Sequence, residues 1–224
     1  MTTVIAFDVN ETLLDLRALD PRFADVFGDA GLRQQWFAQM LQLSFVGGLT
    51  GEYVDFTTAQ HAALRMLSAR TGKVISAAQS AAIVGAMSSL PPHPEVPAAL
   101  ARLRATGVTM VALTNSVQAV AEAQIANAGL RDQFDSVMSA DSVRRLKPAP
   151  EPYRAVAQRF GVTLASVRLV AAHAWDISGA LAAGCRAALV QRPGVVASPL
   201  GPQPDITGPS LTEVADQIIQ ASAD

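Results

Sequence analysis

The feature that most constrains this chain is a set of short apolar runs, each ending abruptly in polar residues. Val4-Ile5-Ala6-Phe7 runs into Asp8. Val108-Thr109-Met110-Val111-Ala112-Leu113 runs into Thr114-Asn115-Ser116, and Val167-Arg168-Leu169-Val170-Ala171-Ala172 into His173-Ala174-Trp175-Asp176. Runs this short and this rich in Val, Ile and Leu read as buried strands. The first covers residues 3 to 8, and two more are expected at 134–138 and 187–190. Helical spacing fills the gaps: Val96, Leu100 and Leu103 over 95–106, an alanine-rich stretch to Asn127, Tyr153, Val156 and Phe160 over 150–160, and a segment ending at Gly184. Such alternation predicts an α/β fold with a mostly parallel sheet and helices on both faces. The Pro/Gly-rich stretch 193–209 reads as a long loop, and Leu211, Val214 and Ile218 as a closing helix.

Residues 16–90 interrupt this rhythm. Trp36-Phe37, Met40-Leu41, Leu43, Phe45-Val46, Leu64, Leu67 and Ile83-Val84 recur at spacings of three or four, which fits amphipathic helices. Gly47-Gly48, Gly51 and Gly72 mark helix ends, giving about four helices. The segment Leu90-Pro91-Pro92-His93-Pro94-Glu95-Val96-Pro97 cannot continue a helix and reads as the linker back, with His93 a solvated loop residue. The expected organisation is a core of residues 1–15 and 91–224 and a helical insert of residues 16–90.

Composition narrows the function. The 224 residues, half of them apolar, suffice for one sizeable core plus a smaller insert. A net charge of −2 with no basic run argues against a nucleic-acid or acidic-membrane partner. Cys185 is the sole cysteine, so no intrachain disulfide and no cysteine zinc site can form; it reads as a small core residue. No basic region followed by a long apolar segment opens the chain, and no stretch approaches a membrane span. A cytoplasmic location is expected.

In a parallel sheet the carboxyl ends of the strands share one edge, where open α/β sheets bind ligands. Asp8, Thr114-Asn115-Ser116 and His173 through Asp176 should therefore converge on one crevice, joined by Lys147 and Tyr153 near the helix at 150. Each cluster alone is weak, because Asp, Asn and Ser are ordinary turn residues. Asp8 itself is either a reactive carboxylate or the cap of the next turn.

Asp8-x-x-x-Thr12, Thr114-Asn115, Lys147-Pro148 and Asp176 resemble, in order, the four motifs of the haloacid dehalogenase superfamily. The resemblance implies a Rossmann-like core with an inserted α-helical cap, an aspartate nucleophile and a covalent aspartyl intermediate. Most members are magnesium-dependent phosphatases, with a second Asp two residues after the nucleophile and a Gly-Asp pair at the fourth motif. Here those positions hold Asn10 and Ala171-Ala172, followed by His173. Asparagine cannot lend a proton to a leaving oxygen, and alanine offers magnesium no ligand. Asp8 and a phosphate dianion would repel each other without a cation between them. A halide leaving group needs no proton. The chain is similar to the metal-independent 2-haloacid dehalogenase branch, also in Lys147-Pro148-x-x-x-x-Tyr153 and in the aromatic Trp175 before the last Asp.

This resemblance implies a hydrolase acting on carbon–halide bonds. A short (S)-2-haloacid would become the (R)-2-hydroxyacid plus halide through an Asp8 ester, with water as co-substrate and no metal or cofactor. The alternative is a phosphatase or phosphonate hydrolase with an atypical metal site. Lys147 would hold Asp8 ionised, Tyr153 and Asp176 would steady Lys147 and the water site, and Thr12 and Thr114 would bind carboxylate oxygens. Asn10, Asn115 and Trp175 are placed on the substrate and halide side. Gln39 occupies the position where the family carries a halide-contacting arginine, so the cationic donor is expected to be missing. His173 stands where the family has Asn; it is open as a base near neutral pH, as a bulky wall beside Trp175, or as a strand-end hydrogen-bonding residue. The apolar insert could also carry a homodimer face, or simply the face that packs on the core.

Overall fold

Alternation within the strands builds a sheet buried on both sides. Val4 and Ala6 of β1 (Val4–Phe7) pack on one face with Val111, Leu113, Leu169 and Leu189, while Ile5 and Phe7 pack on the other with Met110, Ala112, Val170 and Val190. Side chains of a strand point alternately to opposite faces, so both sets must be apolar when both faces are covered. A computed structural model describes residues 4–223; Thr3, expected to open the first strand, lies outside the described residues.

Six parallel strands form one sheet in the order β3-β2-β1-β4-β5-β6. The others are β2 (Thr109–Thr114), β3 (Ser136–Ser139), β4 (Val167–Ala171), β5 (Arg186–Val190) and β6 (Ile206–Gly208). The sequence led us to expect a loop where β6 lies. Three residues sufficed because Ile206 pairs with Ala188 at the sheet edge and Gly208 lets α9 (Leu211–Ala223) approach closely. Order reverses at β1, which pairs with β2 on one side and β4 on the other. The ligand crevice of such a sheet opens beyond the strand ends at this reversal, immediately after Phe7.

Between β1 and β2 the chain forms α1 (Asp20–Phe27), α2 (Leu32–Thr50), α3 (Phe56–Thr71), α4 (Ala77–Ala86) and α5 (Val96–Arg104). Gly47-Gly48 does not end a helix as expected: α2 continues to Thr50 and stops at Gly51, whose φ is 80°. Gly47 has a different purpose, since a Cβ there would sit 2.6 Å from the Glu52 carbonyl oxygen. The absent side chain lets the chain fold back tightly on α2. The chain leaves and rejoins the sheet side by side: Asp15 N donates to Pro91 O at 2.8 Å, and His93 N to Leu13 O at 2.9 Å. His93 is consequently buried, not solvated as expected, and its Nε2 lies 3.1 Å from Glu11 O.

The remaining helices are α6 (Gln118–Asn127), α7 (Pro150–Phe160) and α8 (Ala174–Ala183). Cys185 is buried beside β5, and burial pushes its thiol up to about 12. No helix among the described residues is long and apolar enough to cross a membrane. The tightest approach near the strand ends is at Gly179 of α8. A Cβ there would lie 2.5 Å from Pro148 Cβ, 2.7 Å from Pro148 O and 2.8 Å from Tyr153 Oη. Gly179→Ala should therefore cost about 1–3 kcal/mol, read as a lower urea midpoint with an unchanged slope.

Candidate active site

Asp8 follows β1 directly, and its backbone N–H donates to Val170 O at 3.0 Å, which holds the carboxylate at the crevice between β1 and β4. Lys147 arrives from the loop before α7 and is fully buried. A buried ammonium needs all three protons satisfied. Nζ donates to Asp8 Oδ1 at 2.8 Å, to Asp176 Oδ2 at 2.6 Å and to Leu113 O at 2.8 Å. Tyr153 Oη donates to Asp176 Oδ1 at 2.5 Å. Thr12 Oγ1 donates to Asp8 Oδ2 at 2.7 Å and accepts from Ala172 N at 2.8 Å, tying the β1 loop to the end of β4. Asp8, Thr12, Lys147, Tyr153 and Asp176 thus come together.

His173 completes the ring around the nucleophile. Its Nδ1 lies 3.0 Å from Asp8 Oδ2 and its Nε2 3.0 Å from Glu11 Oε2. Its ring is sandwiched between Phe37 of α2 at 5.8 Å and Trp175 at 5.1 Å, and Trp175 meets Phe45 of α2 at 5.4 Å. Phe37 and Phe45 are eight residues apart on one helix face, so one side of α2 supplies both rings.

The charges divide unequally. Burial pushes the Asp8 carboxyl up, but Lys147 and then His173 outweigh it and hold Asp8 well below the usual carboxylate range. Asp176 shares only the lysine; burial raises it, Lys147 opposes, and the charge on Asp8 raises it further. Asp8 is therefore the more readily ionised of the two carboxyls. Burial lowers Lys147, but Asp176 and Asp8 more than compensate and keep it charged. Burial likewise lowers His173, yet its bonds to Asp8 and Glu11 carry it up to about 9. His173 is thus an imidazolium at neutral pH while Asp8 is free. Of the readings open for His173, a base would first have to lose this proton, a wall beside Trp175 matches the ring contact at 5.1 Å, and the strand-end position is kept with a carboxylate at each nitrogen.

Several expected residues sit differently. Asn115 is committed to Lys147: its Nδ2 donates to Lys147 O at 3.1 Å, and Lys147 N donates to its Oδ1 at 2.8 Å. It clamps the lysine backbone with its oxygen and one of its two N–H donors, leaving the second donor uncommitted. Thr114 Oγ1 accepts from Ser116 N at 3.2 Å, a turn bond that leaves its own O–H proton uncommitted. Asn10 accepts from Gln124 Nε2 at 2.8 Å and reaches Ser116 Oγ at 3.4 Å, so it braces α6 against the β1 loop. Gln39 turns away, bonding Gln42 and Arg70. The inward face of α2 is that of Arg33, Trp36, Phe37 and Met40. Arg33 is buried, with Nε 2.5 Å from Asp20 Oδ1 and Nη1 3.4 Å from Glu11 Oε1. A cation therefore does stand beside the crevice, six residues before the expected position. Trp175 Nε1 is shielded from solvent and has no hydrogen-bond partner among the described residues.

Glu11 and Arg33 were not singled out from the sequence as site residues. Arg33 had a signal, as the only charge on the apolar stripe of α2. Glu11 adopts φ 59°, a left-handed conformation costing about 1–3 kcal/mol at a non-glycine residue, and the bond from His93 to its carbonyl helps hold it. Among the described residues no three of His, Cys, Asp or Glu are arranged to hold a metal ion.

Lys147→Met would leave two buried carboxylates without their shared cation. It should cost about 3–5 kcal/mol in denaturant unfolding, with Lys147→Met/Asp176→Asn recovering part. The pH dependence of His173 has a definite sign. Its folded value is raised from 6.5 to about 9, so the stability it adds is complete below 6.5 and is lost as pH rises through about 9. The gap in melting temperature between wild type and His173→Gln should be widest below pH 6.5 and close in alkali.

The sequence matches the haloacid dehalogenase-like hydrolase family over residues 2–184. It is 30% identical over 214 residues to the (S)-2-haloacid dehalogenase of Pseudomonas sp. (strain YL), spanning 95% of this chain and 92% of that one. The L-2-haloacid dehalogenase of Xanthobacter autotrophicus superposes with a TM-score of 0.91 at 27% identity, over 98% of this chain and 99% of that one. The same enzyme with chloropropionic acid covalently bound superposes with a TM-score of 0.91 at 26% identity and the same coverage. With the motifs in order and the match spanning most of its length, the chain belongs to the haloacid dehalogenase-like hydrolases.

Proposed function

We propose that the protein hydrolyses short (S)-2-haloacids to (R)-2-hydroxyacids and halide through an ester on Asp8. The observation that carries this reading is the pairing of Asp8 with Lys147 and His173. Both neighbours of the nucleophile are cationic side chains, so an anionic haloacid meets a neutralised carboxylate without a metal between them. The relatives named as (S)-2-haloacid dehalogenases, and the solved relative carrying a covalent chloropropionic acid adduct, support the same chemistry.

Asp8 attacks the halogen-bearing carbon from the side opposite the halide. The carbon–oxygen bond forms as the carbon–halogen bond breaks, which inverts that carbon. Lys147 and Thr12 orient the carboxylate. Trp175 Nε1, a buried donor without a partner, suits the departing halide, and Arg33 is the cation best placed for the substrate's own carboxylate or the halide. Water then attacks Cγ of Asp8, splitting the ester and restoring the carboxylate. Residues 16–90 act as a cap domain whose α2 closes the crevice with Phe37 and Phe45. The proposal includes a cytoplasmic location and a homodimer, the latter supported by Val46, Leu49 and Met66, which stand exposed on α2 and α3.

A phosphatase with an atypical metal site is the weaker reading, since Asn10 and Ala172 supply neither an acid nor a ligand beside Asp8. One turnover of (S)-2-chloropropionate in heavy-oxygen water should release chloride in excess EDTA and leave label in the Asp8 peptide. Asp8→Asn should release no halide. Phosphate release from an aryl phosphate, abolished by EDTA and unaccompanied by halide release, would overturn the proposal.

A further inference from the structure

We propose that Glu11 and His173 form the base for the second half-reaction, and that formation of the Asp8 ester switches this base on. The inference rests on the haloacid reading of the site. It starts from the line Asp8–His173–Glu11–Arg33, in which each adjacent pair is in contact, at 3.0, 3.0 and 3.4 Å. An imidazole held by a carboxylate at each nitrogen is fixed in orientation, and removing the charge of one carboxylate changes which proton it can keep.

The groups around His173 are few. Asp8 approaches from the end of β1 and Glu11 from the loop that follows, with Arg33 of α2 and Asp20 of α1 behind Glu11. Lys147 lies across Asp8. Both ring faces are covered by aromatic rings, Phe37 and Trp175. The charge on the ring therefore answers chiefly to Asp8 and Glu11.

In the resting enzyme Asp8 and Glu11 are anions and His173 is a cation. Displacement converts Asp8 to a neutral ester and frees a halide. The imidazolium then has one counter-ion instead of two and loses the Nδ1 proton to solvent. Glu11 is partly exposed and borders a cavity of about 290 Å³ lined also by Arg17, Arg33, His93 and Glu95, so the Nε2 end of the ring keeps its counter-ion while the Nδ1 end, facing the ester, has lost its own. Neutral His173 keeps its Nε2 proton on Glu11 and turns a bare Nδ1 toward Asp8. A water attacking Cγ gives one proton to Nδ1, and a tetrahedral oxyanion forms. Collapse breaks the bond to the substrate oxygen, leaving Asp8 as the carboxylic acid and the product as an alkoxide. Proton transfer from the Asp8 acid to the alkoxide yields the hydroxy acid. Asp8 is again an anion beside imidazolium His173, and the proton lost after the first step balances the halide released.

Glu11 is here a positioning residue and His173 a catalytic one. The test is rapid-quench kinetics with (S)-2-chloropropionate, following chloride and the mass of the Asp8 peptide in wild type, Glu11→Gln, Glu11→Asp and His173→Gln. Glu11→Gln should keep the first-turnover chloride burst close to the wild-type rate and lower kcat by roughly a hundredfold. The ester on Asp8 should accumulate, and the acidic limb of kcat should move to lower pH. Glu11→Asp should restore part of kcat. If Glu11→Gln does not fold, His173→Gln carries the test: because His173 also helps keep Asp8 ionised, its chloride burst should slow, but the second step should slow far more, so that ester still accumulates on Asp8. Equal losses of burst and turnover with no ester, or an unchanged kcat, would overturn the inference while leaving the haloacid reading intact. A wild-type protein that forms no ester and releases no chloride would remove both.

Discussion

One buried ammonium holds this site together. Lys147 has no contact with water, so its charge exists only because Asp8 and Asp176 surround it, and their charges exist only because it is there. Isolated, any of the three would be forced neutral by the cost of leaving water. Much of the nearby structure serves to bring these groups within 3 Å of one another. The sheet order places Asp8 at the reversal point, Asn115 clamps the lysine backbone, and Gly179 leaves room for the loop that carries it. Tyr153, kept a neutral phenol by burial and the adjacent Asp176 charge, takes the remaining oxygen of Asp176.

A second cation breaks the symmetry between the two carboxylates. His173 touches Asp8 and not Asp176, so the group that attacks has a second cationic neighbour lowering its carboxyl, while burial raises that of Asp176. A single lysine shared by both carboxylates could not rank them in this way. The contact with His173 also makes the nucleophile's own charge the main reason the imidazole is protonated.

The parallel sheet and the residues Asp8, Thr12, Lys147, Tyr153 and Asp176 were legible because strands announce themselves as apolar runs and their polar endings must share an edge. What stayed hidden depended on direction. Gln39 and Arg33 lie on different faces of α2, and only the packed helix shows which face turns inward. Asn115 and Thr114 do sit at the end of β2, but a carboxamide can serve backbone and ligand at once, and only the packed structure shows that Asn115 holds the lysine backbone. His93 read as loop because proline surrounds it, whereas a tertiary bond to a left-handed glutamate buries it. The short β6 has too few residues to show a period and exists through its pairing with β5.

The paired crossing of the chain at residues 13–15 and 91–93 has a consequence for how such a protein can change over generations. Because the segments that leave and rejoin the sheet are hydrogen-bonded to each other, the ends of everything between them are already closed. Lengthening, shortening or exchanging the helices in between alters loop entropy only slowly and leaves the position of Asp8 to the crossing itself. Asp8 and Lys147 thus keep their places through such an exchange, whereas the contacts that α2 makes with His173 and Glu11 through Phe37 and Arg33 are remade each time.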